Sequence, residues 1–146
     1  MKFWQSFSKK SVLRQLCFVL VLFAILIPVA IWDSNTQVKV SFESESVVVI
    51  SDKYNMSILY TDIISAELAQ LAEPGEKVEN GYDNDILRAG VWENDTWGEY
   101  IIVADLDTNT CIVVKVTDGR TLVFSRKSDK ATAEDYETLL TYLPKA

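Results

Sequence analysis

Asp118-Gly119 stands between two β-branched runs, CIVVKVT (111–117) and RTLVFSR (120–126). A two-residue hairpin turn needs positive φ at its central positions, which Asp-Gly accepts, so this dipeptide predicts an antiparallel hairpin. EYIIVADL (99–106), followed by the turn residues DTNT (107–110), predicts a second hairpin onto the same run. Upstream, VKVSF (38–42) alternates, SVVVIS (46–51) is β-branched, DKYN (52–55) reads as a turn, and MSILY (56–60) is a third short strand. In YTDIISAELAQL (60–71), Ile64, Ala66 and Leu68 alternate with Ser65 and Glu67, which favours a strand entered through a corner at Asp62, with a helix over 66–71 as the rival.

Residues 72–99 are irregular by their turn dipeptides, Pro74-Gly75 and Asn80-Gly81, apart from a strand at ILRAGVW (86–92) and a loop at ENDTWG (93–98). The period then changes once. Tyr136, Leu139, Leu140 and Leu143 lie at i, i+3, i+4 and i+7, which predicts a helix over 132–143 with Thr132 as N-cap, acids in its first turn and Pro144 as its stop. The fold class is therefore mainly β (α+β), an antiparallel sheet closed by a C-terminal helix.

One stretch belongs to a different solvent. LCFVLVLFAILIPVAIW, residues 16–32, carries no charge, follows four cations (Lys2, Lys9, Lys10, Arg14) and spans about 26 Å as a helix. It lacks an A-x-A cleavage site, so it reads as an uncleaved transmembrane anchor, with a cleaved signal as the alternative. The Lys/Arg asymmetry orients the N-terminus to the cytoplasm and the C-terminal domain outside the cell. The expected organisation is a basic N-terminus (1–15), an anchor in the lipid bilayer (16–32), a tether (33–37) and a domain (38–146).

All 21 acidic residues follow the apolar stretch with 10 of the 14 basic ones, leaving residues 33–146 with a net charge of −11. Such a surface repels phosphate backbones, so a nucleic-acid partner is excluded, and its net charge opposes anionic lipid headgroups. Arg120, Arg126, Lys127 and Lys130 are the only close cationic set, and the hairpin puts Arg120 about 20 Å from the others. The chain has no histidine, which removes the commonest general base and transition-metal ligand. Of the two cysteines, Cys111 opens an apolar run and reads as buried, and Cys17 lies in the apolar stretch, so no intramolecular disulfide is expected.

The motifs resemble those of small bacterial pleckstrin-homology-like domains. The similar stretch runs from Val38 to Leu143 and includes ILYTDIISAEL (58–68), PGEKVENG (74–81), GVW (90–92), WGEY (97–100) and IVVKVTDGRTLVF (112–124). The resemblance implies a seven-stranded, strongly bent antiparallel sheet or partial barrel with the helix at one open end. It brings no catalytic residues.

Three constellations merit weighing. Asp105, Asp107 and Asn109 form the start of a calcium loop, but Thr110 holds its glycine position and Val116 its bidentate-glutamate position, so turn chemistry is the better reading. Glu73, Glu76, Glu79, Asp83 and Asp85, with Glu93 and Asp95, read as a solvated acidic loop rather than a cation site, and Arg88 is available to pair with them. Tyr82, Trp92, Trp97 and Tyr100 gather in the irregular region, where they form either an interaction surface or a plug of core rings. No cofactor or metal is implied. The expected function is a non-enzymatic protein-interaction or accessory module of an envelope complex. The alternatives are a sensor that binds a ligand or peptide, by strand addition or at the Trp-lined region, and, further off, an acidic-site enzyme.

Overall fold

The computed structural model describes residues 38–144 together with Gln15, residues 17–21 and Ala24. The chain divides into two compact units, Met1–Asn35 and Thr36–Ala146. In the first unit the described residues are helical and exposed. The expected transmembrane anchor is not borne out: among the described residues no helix is long and apolar enough to cross a membrane. Residues 16, 22, 23 and 25–32 of that stretch lie outside the described residues.

The second unit is mainly β with a C-terminal helix, but its strands are neither seven nor all antiparallel. Its described residues form β1 (Lys39–Phe42), β2 (Ser46–Ile50), β3 (Asn55–Leu59), β4 (Ile63–Gln70), β5 (Glu76–Asp83), β6 (Leu87–Asn94), β7 (Gly98–Asp105), β8 (Thr110–Val116), β9 (Thr121–Ser125) and α1 (Asp129–Tyr142). They make two sheets, a three-stranded meander β1-β2-β3 and a six-stranded sheet in the order β4-β8-β9-β7-β6-β5. A 3-10 turn at Tyr60–Asp62 carries the chain from one sheet to the other.

The Asp-Gly hairpin forms, with Ile112 opposite Phe124 and Lys115 opposite Thr121. Val116 N donates to Arg120 O (3.1 Å), however, so its loop is residues 117–119 rather than a two-residue turn, and of the Asp-Gly pair only Gly119 takes a positive φ. The second expected hairpin does not form. β7 and β8 follow each other in sequence, yet β9 lies between them, antiparallel to β8 and parallel to β7. The physical reason is burial on both faces. Every residue of TLVFS (121–125) is buried, so this run belongs in the centre of the sheet rather than at its edge.

Side-chain alternation gives the six-stranded sheet two apolar faces. On the first, Leu87, Ala89, Val103, Ile112, Val114, Leu122 and Phe124 pack against Val47, Val49, Met56 and Ile58 of the small sheet and Leu139 of α1. On the second lie Trp92, Tyr100, Ile102, Ala104, Cys111, Val113 and Val123. Residues 71–75 join the two edge strands of this sheet. Six strands would set the edges about 24 Å apart if flat, whereas the link reaches about 20 Å when fully extended. The sheet therefore curls around its second face, and the link crosses that face as a strap: Tyr100 Oη donates to Pro74 O (2.8 Å) and Arg88 Nη1 to Ala72 O (3.4 Å).

Two local expectations are corrected. Glu76–Asp83, read as irregular, is strand β5, whose register against β6 shifts twice while Asn80 takes a positive φ of 48°. Gly90 faces that irregularity at φ 99°, where a Cβ would lie 2.2 Å from Asn80 O, so only glycine fits. The helix starts earlier than expected, capped by Ser128, whose side chain accepts from Ala131 N; Thr132 sits inside it and donates to Ser128 O (2.9 Å).

Candidate functional site

The four aromatic residues do not form one surface. Trp92 and Tyr100 are directly opposed across β6 and β7, and both are buried, with 5% and 1% of their surface exposed. Trp92 Nε1 donates to Ala89 O (3.1 Å), and Trp97 packs edge-on against Tyr100 at 5.1 Å between ring centroids. Both ring polar atoms are thus satisfied within the fold, as buried Trp and Tyr require. Tyr82 sits apart, half-buried against the first core, with Lys53 over its ring at 4.9 Å. Desolvation pushes the Tyr100 hydroxyl up to about 12, with the Arg88 guanidinium opposing the rise.

The acidic loop surrounds an open groove lined by Glu73, Glu76, Glu93, Asn94 and Asp95. Asn94 organises it: its Nδ2 donates to Glu73 O (2.9 Å) and its Oδ1 accepts from Trp97 N (2.7 Å). Among the described residues no three acidic or cysteine side chains converge closely enough to hold a metal. Arg88 pairs with Asp83 (3.2 Å), as its position among the acids suggests.

The loop after β7 turns on its own chemistry. Asp105 Oδ1 accepts from Asp107 N (3.0 Å). Asp129 Oδ1, at the first turn of α1, accepts from Thr108 Oγ1, from Asn109 N (2.8 Å), and from Thr110 N and Oγ1 (both 3.0 Å). These bonds, the one from Thr108 first, hold the Asp129 carboxyl below its ordinary range. The calcium-loop pattern is therefore a latch between a turn and a helix start. Of the cationic set, Arg120 pairs with Asp118 (2.7 Å), Arg126 with Asp135 (3.2 Å) and Lys130 with Glu134 (3.8 Å).

The feature with unused binding capacity is β4. It has eight residues and lies at one edge of the six-stranded sheet, paired only with β8. Leu71 N donates to Asn109 O (2.8 Å), so its amide faces the β8 side. By the alternation of an antiparallel ladder, Ala69 and Glu67 face β8 as well, whereas Ala66, Leu68 and Gln70 turn their N–H and C=O groups away from the sheet. Tyr136 Oη reaches Ala66 O from α1 at a long 3.4 Å. Ile64 and Leu68 are exposed on this strand, at 67% and 40%. β4 itself shifts register once, between Ile63 and Ser65, and runs in continuous register with β8 from Ser65 to Gln70. By contrast β5 shifts twice and carries Glu76, Glu79 and Asp83, β1 has four residues, and β3 has five.

Sequence reasoning placed the β4 strand but not its edge position, because that position depends on the distant pairing with β8. Comparison with known proteins adds no assignment: no family model, curated protein or solved structure matches the chain.

Proposed function

We propose that residues 38–144 are a non-enzymatic protein-interaction module that takes up an extended segment of a partner as an added strand along β4. The outward-facing backbone of Ala66, Leu68 and Gln70 on an unbroken stretch of edge strand carries this reading. In strand addition the main-chain bonds supply affinity, and alternate side chains supply selectivity. Exposed Ile64 and Leu68 would favour a segment with apolar residues at alternate positions. The titratable groups with displaced pKa values support the non-enzymatic reading, since each has its own structural cause. Cys111 is raised by burial in the second core, Asp135 by burial beside Arg126, and Asp129 is lowered by its latch.

Selection of a random peptide library on the full chain, followed by amide-exchange mapping, tests the proposal. Selected peptides should alternate apolar residues and protect the amides of Ala66, Leu68 and Gln70. Peptides that instead perturb only the groove around Glu73 and Glu93 would overturn it.

A further inference from the structure

We infer that Asn80-Gly81 is a site of self-modification, where the folded chain slowly converts Asn80 to aspartyl and isoaspartyl forms and so loosens the β5 edge of the large sheet. The inference stands apart from strand addition at β4. Asparagine is a chemically labile side chain. In the first step the backbone nitrogen of Gly81 attacks Asn80 Cγ. The new N–Cγ bond forms, the bond from Cγ to the carboxamide nitrogen breaks, and ammonia leaves with the proton that Gly81 N gives up. Water then adds to either carbonyl of the five-membered imide. Opening at one restores the ordinary chain with a carboxylate in place of the carboxamide. Opening at the other routes the chain through the side chain, one methylene longer, and frees the α-carboxylate. Water is the sole co-reactant.

The first step needs a carboxamide free to turn, a following nitrogen unshielded by a side chain, and a backbone that rotates without breaking a ladder. Asn80 meets all three. Its side chain is exposed and makes no hydrogen bond among the described residues. Glycine follows it, and the register shift between Glu79 and Tyr82 leaves both residues without partners in β6. The other described asparagines are held. Asn55 Oδ1 accepts from Ser51 N (3.1 Å), Asn84 Oδ1 from Leu87 N (2.7 Å) and Asn94 Oδ1 from Trp97 N (2.7 Å), so each carboxamide is fixed in place. Asn109 is exposed, but the nitrogen that would attack it, Thr110 N, donates to Asp129 Oδ1 (3.0 Å). Asn35 lies outside the described residues and precedes the β-branched Thr36.

The longer chain has no room in this bulge. A Cβ on Gly90 would lie 2.2 Å from Asn80 O and 2.9 Å from Gly81 Cα, so β6 closes directly on the two residues. A methylene inserted there drives residues 79–83 away from β6, whereas the plain carboxylate adds only charge. The isoaspartyl form therefore undoes one end of the sheet, and the aspartyl form does not.

Prolonged incubation of the folded full chain at mildly alkaline pH, followed by digestion and mass spectrometry, tests the inference. Fragments containing Asn80 should gain about 1 Da as NH is replaced by O, in two forms of equal mass that elute apart. Asn55, Asn84, Asn94 and Asn109 should stay unchanged. Gly81→Ala should slow the gain by about tenfold or more, since a Cβ shields the nitrogen and narrows the backbone's range. The added methyl meets the side chain of Lys77, which is exposed and able to swing aside. Asn80→Gly, which suits the positive φ, should keep the fold and abolish the gain. In amide exchange, the isoaspartyl fraction should lose protection at residues 79–83, and freshly made Asn80→Asp should match the native chain. A gain that comes first at Asn94 or Asn109, or one at Asn80 that appears only in urea, overturns the inference. Equal exchange at residues 79–83 in the isoaspartyl and native chains overturns the loosened edge.

Discussion

Tyr100 and Pro74 lie 26 positions apart in sequence and are joined by a 2.8 Å hydrogen bond from the phenol to the proline carbonyl oxygen. The bond holds the strap across the curled face of the large sheet. Replacing Tyr100 with Phe keeps the ring but leaves Pro74 O without that donor, and should cost about 1–3 kcal/mol of stability. Denaturant unfolding measures the loss, and faster amide exchange at residues 71–73 would locate it. The same phenol makes stability sensitive to alkali. Its folded pKa, about 12, lies above the unfolded value, so its contribution is complete below pH 10 and is lost as pH rises through 12. Tyr100→Phe should flatten that part of the profile.

Cys111 should be chemically silent. Its thiol is fully buried, and burial pushes its pKa to about 12, with Glu67 adding to the rise. Thiolate is the reactive form, so a thiol reagent at pH 8 should label Cys17, which is exposed, and reach Cys111 only after unfolding. Native labelling of both would contradict the buried position.

The Asp129 latch should fail in acid. Its carboxyl is held below the ordinary range in the folded chain, so the stabilisation is present above the unfolded pKa and is lost as pH falls through the lower folded value. Asp129→Asn should reduce stability at neutral pH and remove most of the decline between pH 4 and the folded pKa. Urea midpoints across that range for both chains check the prediction.

Helix α1 should depend far more on Leu139 than on its neighbour. Leu139 is fully buried in the first core, whereas Leu140 is exposed. Leu139→Ala should cost about 2–5 kcal/mol, and Leu140→Ala should stay within about 0.5 kcal/mol. Equal effects in thermal unfolding would show that the helix packs on a different face.

Much of the strand content was legible because β-branched alternation sets local backbone preference without tertiary help. Ile64, Ala66 and Leu68 identified β4 in this way, and Asp118-Gly119 its neighbouring hairpin. β5 was hidden, since Asn80-Gly81 reads as a turn and two register shifts absorb it within the ladder. The pairing of β7 was hidden for another reason. Turn residues at 107–110 favour adjacent pairing, while the competing signal, the continuous burial of TLVFS, is non-local. The aromatic set was legible as a cluster, with a plug of core rings as one of its two readings, but which of its members meet was not. Trp92 and Tyr100 meet only because the turn before Gly98 brings β6 and β7 into register.

The insertion of β9 between β7 and β8 governs how this chain can be made. Synthesis delivers β4 through β8 before the strand that joins them has left the ribosome, and β4-β8 connects to β7-β6-β5 only through β9. Until residue 125 emerges, the growing polypeptide holds two separate strand groups with unpaired edges where β9 belongs. Premature termination after β8 therefore leaves one chain with two strand groups that do not pair with each other and are prone to pairing with other nascent chains, rather than a smaller version of the sheet.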